Sequence, residues 1–564
     1  MSIKKSYFIS FTVAIVVSLI PILELWQTNT VYSGSDLQFH LNRIHELVNQ
    51  LKVGNLSLIS YSSFNSVGSG VQYFYPSLTL APVILVFMLI KSSILAYYVS
   101  LFLYGLITFF ITYYAFSKII KDFELSILGS IVFSLSTYRI FSIIGTSAFG
   151  EFIAISWIPL VLLGYYRIIN REGWRTLWIS LLLVGYTHLL TLLLTMVILV
   201  IVTIIRFFKN YQKVSGEVLS YIKVIIGFSL SFAAFLVPFL TLYRQNSIVS
   251  PDVILHYQWS QTFAGYYMSS FRLLMTRTLG FVFVVELLGM FFLWQKLTKN
   301  TRIIFWAGLA ITFLASSDFL WYKLEHTAVA QIQFPYRFIP FAVVLLTFSG
   351  VLAIKDITAT LRSKNAKKIM VICLGFLSMS TALVSIHEYK KQIDVTYKIE
   401  KTINGHLNYN PFAEYRVSNA TFYKQYNNHF DTYGAFDYWT TTAKKNRKTI
   451  TDHKILDEQE KPLSSYTKRT KTGINYSVEN DKNQRLDLPF IKYNGVPYKV
   501  TVNGKKVLQN MSYRGTLSIY ANKGNLKINV TPNMRFETLI FWGISMIASL
   551  IIIIYPLNVW KNYS

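Results

Sequence analysis

The sequence predicts an all-α polytopic membrane protein of about 12 spans with a small extracytoplasmic β-rich domain. Apolar residues make up 53% of the 564 residues, and charged residues make up only 14%. A soluble domain contains about 25% charged residues, so this composition is typical of the membrane class. Long apolar runs recur between residues 8 and 386 and again at 537–557. Each run approaches the roughly 20 residues that a helix needs to cross a hydrocarbon core.

The formal net charge of +27 does not indicate a nucleic-acid-binding protein. The lysines and arginines lie between the apolar runs and in one polar segment near the C-terminus, and no nucleic-acid module is recognisable. We therefore expect no nucleic-acid partner. The chain has a single cysteine, Cys373, which excludes an intramolecular disulfide.

The distribution of lysine and arginine predicts the threading of the chain. Cytoplasmic loops are enriched in these residues, so Lys4 and Lys5 place the N-terminus in the cytoplasm. The first outer loop then covers residues 24–92, with the apolar run 76–90 lying along the membrane surface. If 76–90 spanned the membrane, later basic clusters such as Arg167–Arg175 would fall outside. We therefore expect a multi-pass protein of a bacterial plasma membrane with both termini cytoplasmic.

The predicted spans divide the chain into three parts. These are a transmembrane part, 1–386, a polar part, 387–535, and a C-terminal helix with a short cytoplasmic tail, 536–564. For the region 174–206, the sequence is compatible with either two short helices or one long kinked helix. The predicted spans lie near residues 7–23, 93–117, 125–142, 152–168, 174–188, 189–206, 222–241, 279–296, 302–318, 335–354, 369–386 and 537–557.

The polar part is basic and predicts β-structure in its C-terminal half. It contains 25 Lys and Arg against 13 Asp and Glu. Residues 498–507 alternate between apolar and polar around Asn503-Gly504, which is a strong hairpin signal. Residues 517–520 and 526–530 alternate in the same way around Lys523-Gly524. We expect a small sandwich or jelly-roll-like domain outside the membrane.

Asp36 is the most informative residue of the first outer loop. If a helix starts here, Ser35 or Asp36 is its natural N-cap, and His40 and Arg43 follow Asp36 on the same face. A carboxylate, an imidazole and a guanidinium at the membrane surface suit a phosphate-linked substrate. Asp36 could take a proton from a hydroxyl or hold a metal, and Arg43 could bind phosphate oxygens. The alternative is an amphipathic surface helix with an ordinary cap and solvated charges.

Four further residues are candidates, because ionisable groups near membrane depth are costly. Arg139 and Glu151 mark the next outer loop, where Glu151 could equally stabilise a helix N-terminus. His188 lies at a helix junction and could be a packing residue. Arg337 opens a span on the outer side, where anion binding competes with interfacial placement.

Common nucleotide and hydrolase motifs are absent from the sequence. There is no phosphate-binding loop, dinucleotide fingerprint, zinc-ligand spacing or Gly-x-Ser-x-Gly motif. This argues against a nucleotide-driven pump and against a serine hydrolase.

Several short motifs resemble a known bacterial membrane family. The segment Gly34–Ile44, followed by Tyr73-Phe-Tyr75-Pro76, resembles the start of the family labelled "6-pyruvoyl-tetrahydropterin synthase related". That family is similar to YfhO-type membrane proteins and to GT-C glycosyltransferases. The supporting motifs, which sample most of the chain, are Tyr138-Arg139-Ile140, Gly150-Glu151, Thr187-His188-Leu189-Leu190-Thr191, Phe334-Pro335-Tyr336-Arg337-Phe338, Glu414-Tyr415 and the Asn503-Gly504-Lys505 hairpin.

The resemblance implies a chemistry that differs from the family label. Pterin synthases use a zinc-bound histidine cluster, and no such spacing occurs in this chain. The similarity to GT-C enzymes implies a polyprenyl-phosphate-linked sugar as donor and a catalytic acid in the first outer loop, at Asp36. Glu151 matches a second acid in the next loop. Many GT-C members carry paired acids in the first loop, whereas Asp36 is followed only by Glu46, so a divalent metal is left open.

These expectations converge on a glycosyltransferase acting outside the membrane. Asp36 and Glu151 would be catalytic, and His40, Arg43, Arg139, His188 and Arg337 would bind substrate. An anionic wall polymer is the expected acceptor, because the outer domain is basic. The alternatives are a transporter or flippase of lipid-linked glycans, with charges deep inside mid-chain spans, and a non-catalytic envelope assembly protein.

Overall fold

The structure is a computed structural model that describes residues 3–26, 31–249, 254–360, 365–400, 415–417 and 436–559. Most of these residues are helical, and a β region lies near the C-terminus. The helices are α1 (Ile3–Trp26), α2 (Leu37–Val53), α3 (Val71–Phe74), α4 (Ala81–Leu89), α5 (Ser93–Ile120), α6 (Phe123–Ser134), α7 (Thr137–Ile144), α8 (Phe149–Ile155), α9 (Ile158–Ile169), α10 (Arg175–Gly185), α11 (Leu189–Lys209), α12 (Tyr211–Ser215), α13 (Val218–Gln245), α14 (Phe263–Phe271), α15 (Phe281–Leu293), α16 (Lys299–Ala315), α17 (Ile339–Thr360), α18 (Ala366–Glu400), α19 (Thr441–Lys445), α20 (Arg447–Thr451) and α21 (Phe536–Val559).

Within these described ranges, nine helices are long and apolar enough to cross a membrane, judged by length and composition. They indicate a multi-pass membrane protein, as the composition predicts. Each of them overlaps one of the predicted spans. The nine segments are Ser6–Glu24, Ser93–Ile120, Phe123–Ile144, Phe149–Ile169, Leu189–Lys209, Val218–Gln245, Pro335–Thr360, Ala366–Ile393 and Phe536–Ile554.

The three other predicted spans coincide with shorter helices. These are α10, α15 and α16, which have 11, 13 and 17 residues. At a rise of about 1.5 Å per residue, α10 and α15 are shorter than a hydrocarbon core of roughly 30 Å. The number of about 12 spans therefore stays a prediction.

Two ambiguous regions take definite forms. Between residues 76 and 90, the structure contains a short turn and α4, which has 9 residues and is too short to cross a bilayer. This length agrees with the prediction that 76–90 does not span. Region 174–206 is two helices, α10 and α11, because residues 186–188 leave the helical conformation.

The chain forms two compact units. The transmembrane unit contains Met1–Leu37, Ile94–Ile226 and Val253–Asn419, and the loop-and-sandwich unit contains Gln38–Ser93, Gly227–Asp252 and Ala420–Ser564. Each unit is described by itself below.

Ion pairs tie two helices of the transmembrane unit together at a basic loop. Asp122 caps α6, since its carboxylate accepts a hydrogen bond from the Leu125 amide at 3.1 Å. Lys367, in the first turn of α18, reaches the carboxylates of Asp122 at 2.8 Å and Glu124 at 3.2 Å. The cap thus starts one helix and anchors the beginning of another.

The loop-and-sandwich unit contains two antiparallel sheets around one apolar core. The five-stranded sheet has the order β3-β4-β10-β6-β7, and the three-stranded sheet has the order β5-β9-β8. Inward-facing residues of both sheets, such as Tyr476, Leu488, Leu517 and Ile528, are buried together. The strands are β1 (Val31–Ser33), β2 (Tyr415–Val417), β3 (Ser465–Arg469), β4 (Ile474–Asn480), β5 (Gln484–Ile491), β6 (Tyr498–Val502), β7 (Lys505–Lys506), β8 (Gln509–Met511), β9 (Thr516–Ala521) and β10 (Gly524–Pro532), of which β1 and β2 pair within the transmembrane unit.

One of the two predicted hairpins is present. Strands β6 and β7 pair across Asn503-Gly504, where both residues have positive φ (49° and 83°), as a tight two-residue turn requires. Strands β9 and β10 do not pair with each other. Strand β9 joins β5 and β8, whereas β10 joins β4 and β6, so the chain crosses between the sheets at Lys523-Gly524. Alternation identifies the buried face of a strand but not its partner.

Candidate functional site

Asp36 lies where the segment between α1 and α2 meets the loop after α7. The Asp36 amide donates to Thr146 O at 3.0 Å, and the Gly34 amide donates to Ser147 Oγ at 3.2 Å. Gly34 is buried, and a Cβ at this position would lie 2.3 Å from the carbonyl carbon of Thr146. Because only glycine permits this backbone approach, Gly34 determines where Asp36 is held. Helix α2 begins at Leu37, directly after Asp36, as the predicted N-cap position requires.

The Asp36 carboxylate is partly buried and accepts a hydrogen bond from Ser35 Oγ at 3.0 Å. Burial raises the pKa of Asp36 above its ordinary value of 3.8. The Ser35 hydrogen bond and attraction by Arg337 and Arg277 lower this pKa, while repulsion by Glu151 raises it, and the net shift is upward. A raised pKa makes a carboxylate a stronger base, which suits proton removal from a hydroxyl.

Glu151 lies in the first turn of α8 and points its carboxylate to a tyrosine of α7. The Tyr138 hydroxyl donates to Glu151 Oε1 at 2.7 Å. No side-chain cap hydrogen bond is present at the start of α8, whose N-cap residue is Ala148. Glu151 is therefore held by Tyr138, and it acts electrostatically on Asp36.

Two arginines complete this cluster. Arg337 donates to Ile332 O at 2.9 Å and to Gln333 Oε1 at 3.1 Å, which fixes its guanidinium near the start of α17. Arg277 stacks on the ring of Tyr336 at 4.5 Å. Within the described part of the chain, Arg277 makes no hydrogen bond and no ion pair. Its donors are thus available for an anionic ligand.

Arg277 was not among the residues predicted from the sequence. A usable signal was present, because Arg277 precedes the apolar run 279–296 in the same way that Arg337 opens its own span. We refer to Asp36, Glu151, Arg277 and Arg337 as the outer-loop cluster, a name that follows the sequence-based prediction that these loops lie outside. Its members come from four separate regions of the transmembrane unit, so no local sequence pattern defines it.

A stack of aromatic rings extends from the outer-loop cluster. Phe334 stacks on Tyr336 at 5.1 Å between ring centroids and on Trp259 at 5.4 Å. His256 stacks on Trp259 at 4.9 Å. Trp259 is 59% exposed, which places an accessible aromatic face at the end of the stack.

Arg139 lies in the same unit but is occupied by protein contacts. It is buried, and it donates to Thr108 Oγ1 at 2.6 Å and to Tyr104 O at 3.2 Å. Its guanidinium also lies over the Phe152 ring at 4.3 Å. These contacts join α7 to α5 and α8, which gives Arg139 a packing role that needs no substrate.

His188 lies at the junction between α10 and α11. Its Nδ1 is 2.8 Å from Thr191 Oγ1, one turn further along the chain. The backbone of His188 is extended (φ −153°, ψ 111°), and its amide bonds to Val184 O at 2.9 Å. This geometry separates the two helices and agrees with the structural alternative for His188.

His40 and Arg43 belong to the loop-and-sandwich unit, where both are buried. Arg43 donates to Pro76 O at 2.8 Å and to Tyr75 O at 3.2 Å, and its guanidinium lies 4.1 Å from the Tyr75 ring centroid. Burial lowers the pKa of Arg43 to about 10, so it stays a cation at neutral pH. His40 packs edge-on against Tyr75 at 5.7 Å. These contacts organise the segment before α4, and a substrate contact by either residue stays a prediction.

Glu46, the other acid of the first loop, is fully buried and saturated with hydrogen bonds. Its carboxylate accepts from the backbone amides of Tyr61 at 3.1 Å and Ser62 at 2.9 Å. It also accepts from the Gln50 amide and from the hydroxyls of Ser62 and Ser63. Glu46 thus orders the loop after α2 and is unsuited to a second catalytic acid.

Glu286 is a second residue that the sequence reasoning missed. It lies within the apolar helix α15 and accepts a hydrogen bond from Ser349 Oγ of α17 at 2.7 Å. A Cβ on Gly350 would lie 3.3 Å from the Glu286 carboxyl carbon, so α17 approaches closely here. An acid inside an apolar run is itself a sequence signal for a functional residue.

The outer-loop cluster does not provide the usual ligand set of a metal. Among the described residues there is no group of three or more His, Cys, Asp or Glu side chains arranged to hold a metal ion. The two carboxylates of the cluster are accompanied by two guanidiniums, which already balance their charge.

No family model and no curated protein matches the chain. The motif residue Glu414 lies outside the described residues, and so do residues 401–413.

Proposed function

We propose that the protein is a GT-C-like glycosyltransferase that moves a sugar from a polyprenyl-phosphate donor to a cell-envelope acceptor outside the membrane. The observation that supports this proposal is that the partly buried Asp36 carboxylate feels the charges of three residues remote in sequence, Glu151, Arg277 and Arg337. The positive-inside distribution of charge supports an outer location for this cluster, in a bacterial plasma membrane. The relation to the "6-pyruvoyl-tetrahydropterin synthase related" family is part of the proposal.

In the proposed reaction, Asp36 takes the proton from an acceptor hydroxyl. At the same time, the oxygen of that hydroxyl attacks the anomeric carbon of the donor sugar. The bond between the anomeric carbon and the donor phosphate oxygen breaks, and its electron pair stays on the phosphate. Arg277 and Arg337 would stabilise the negative charge that develops there. Glu151 assists by repelling the Asp36 carboxylate, which strengthens Asp36 as a base.

The contacts of the remaining candidates favour supporting roles. Arg139 donates to a backbone carbonyl and a threonine hydroxyl, so it supports the fold of the transmembrane unit. Arg43 donates to backbone carbonyls of the loop-and-sandwich unit and supports the fold there. Trp259 offers an exposed ring against which the apolar face of a sugar could pack. The expected acceptor is an anionic wall polymer, to which the basic polar part is complementary.

The test is transfer of labelled sugar from a polyprenyl-phosphate donor to wall polymer by the purified protein. Asp36→Asn and Arg277→Gln are compared with Asp318→Asn, an acid of the loop after α16, at equal protein. We expect transfer to fall steeply in the first two variants and to persist in the third. Full transfer by Asp36→Asn would refute the catalytic assignment and favour a non-catalytic envelope assembly protein.

A transporter or flippase of lipid-linked glycans is the second candidate, and Glu286 is the observation that favours it. A carboxylate within an apolar helix is costly and often marks a proton or ion pathway. Flipping of a fluorescent lipid-linked glycan in proteoliposomes discriminates the two functions. If Glu286→Gln abolishes flipping while Asp36→Asn leaves it intact, the transporter is the better description.

A further inference from the structure

The two sheets of the sandwich differ in how exposed their outward faces are. In the three-stranded sheet, the outward-facing Asp487 and Thr516 are buried, and Arg514 binds Asp487 Oδ2 at 2.8 Å. Arg514 also donates to Thr449 Oγ1 at 3.1 Å and to Lys454 O at 3.2 Å, so the segment that contains these two residues covers this face. The outward face of the five-stranded sheet is exposed or half-exposed along all its strands.

This open face carries a basic excess. Strand register places Lys468, Lys499, Lys506 and Lys527 on it, and all four are exposed. Glu479 is the one acid at these positions of the described strands. The lysines extend from edge strand β3 to edge strand β7, about 19 Å at the usual strand spacing. The charge is therefore spread over a flat surface.

Hydroxyl and amide groups lie between the lysines in register. One row across the sheet reads Lys468, Asn475, Asn529, Thr501 and Lys506. The Asn529 amide donates to Asn475 Oδ1 at 2.6 Å, which holds the centre of the row in place. Side chains of this kind hydrogen-bond the hydroxyl groups of polyols and sugars, while lysines attract phosphates.

We propose that the open face of the five-stranded sheet binds a linear phosphodiester polymer that bears hydroxyl groups. The lysines contact phosphates, and the central amides and hydroxyls contact polyol or sugar hydroxyls. A lipid surface fits less well, because Tyr466 is the only large apolar side chain among the outward positions of the described strands. A protein surface that binds a membrane normally inserts several apolar side chains into the lipid interface. The proposal rests on the proposed function for its outer location and specifies the acceptor.

The test is equilibrium binding of fluorescent poly(glycerol phosphate) to the full-length protein in nanodiscs of neutral lipid. A variant with Lys468, Lys499, Lys506 and Lys527 changed to Gln is compared with a control variant. The control changes four exposed lysines away from this face to Gln, namely Lys445, Lys448, Lys461 and Lys523. We expect Kd to rise at least about tenfold in the first variant and less than about threefold in the control, with a weaker salt dependence in the first.

An equal rise of Kd in both variants would mean that net charge alone explains polymer binding, and this result would overturn the proposal. Binding is also measured in nanodiscs that contain anionic lipid, where it should persist, since loss there would mean that lipid headgroups occupy this face. Polymer binding is measured without a sugar donor, so its result does not depend on whether the protein transfers sugar. Failure of sugar transfer and failure of polymer binding are thereby distinguished.

Discussion

At the scale of single residues, the two acids Asp36 and Glu46 have opposite surroundings. Glu46 is buried and its carboxylate accepts five hydrogen bonds. Asp36 accepts one hydrogen bond from a neighbouring serine, and burial raises its pKa. The Glu46 carboxylate therefore stabilises the fold, whereas the Asp36 carboxylate lowers the stability of the folded protein. Such a cost is typical of functional sites.

We expect Asp36→Asn to reduce sugar transfer by about 10²- to 10⁴-fold, the usual contribution of a general base. Since ionised Asp36 is disfavoured by burial, the variant should unfold at the same or a higher temperature than wild type at pH 7. Thermal unfolding in detergent measures this. A large drop in unfolding temperature would mean that Asp36 is a structural residue.

The pH dependence follows from the direction of the Asp36 pKa shift. As a base, Asp36 must be ionised, so the acid limb of the transfer rate should lie above pH 3.8. Between pH 3.8 and the raised pKa, the folded protein binds this proton more tightly than the unfolded chain does. Stability contributed by Asp36 is thus present at low pH and is lost as pH rises through this window. The stability gain of Asp36→Asn over wild type should therefore vanish below pH 3.8.

Glu46→Gln should destabilise the loop-and-sandwich unit by about 3 kcal/mol, because an amide NH2 would face hydrogen-bond donors. Glu479→Gln, at an exposed position of β4, serves as the matched control and should change stability little. Denaturant unfolding followed by tryptophan fluorescence, to which the buried Trp439 of this unit contributes, reports the effect. Equal unfolding curves for both variants would contradict the role assigned to Glu46.

Sequence patterns predicted both acids of the outer-loop cluster but only one of its two cations. Asp36, Glu151 and Arg337 were identified, and the structure places them in one cluster. Arg277 was missed, because its approach to Asp36 results from long-range packing. Arg43 and Arg139 were predicted to bind substrate, although their donors bind carbonyls and a hydroxyl. A buried arginine that bonds to the backbone cannot be distinguished from a ligand-binding arginine by sequence.

At the scale of elements, a local turn can be predicted from sequence, whereas strand pairing and close backbone contacts between remote segments cannot. The Asn503-Gly504 turn is local, so its residues were sufficient to predict the hairpin. The pairing of β9 and β10 depends on which sheet each strand joins, and that choice is made by packing in the common core. The close approach at Gly34 was likewise invisible, since its partner Thr146 is remote in sequence.

Gly34→Ala should lower sugar transfer by about 10- to 100-fold, because backbone atoms of Thr146 and Gly145 cannot yield to the added methyl group. Gly543→Ala is the control, since a Cβ there meets nothing within 4 Å. Transfer rate and unfolding temperature are measured for both. Undiminished transfer by Gly34→Ala would show that the exact position of Asp36 is unimportant.

At the scale of the whole molecule, the predicted threading can be tested through the single cysteine. Cys373→Ser gives a cysteine-free background, into which Glu172→Cys or Asn503→Cys is introduced at exposed positions. A membrane-impermeant maleimide should label Asn503→Cys in intact cells and Glu172→Cys only after permeabilisation. The reverse pattern would invert the topology and place the outer-loop cluster in the cytoplasm.

The packing of Gly34 against Thr146 also bears on the order in which the site is assembled during synthesis. Asp36 and Glu151 are both present once the first 151 residues have been made, whereas Arg277 and Arg337 are added later. A nascent chain that has inserted only its early helices would hold two repelling carboxylates without either guanidinium. We therefore expect this region to be loosely packed in ribosome-bound intermediates. It should become ordered only after Arg337, the last residue of the cluster, has been synthesised.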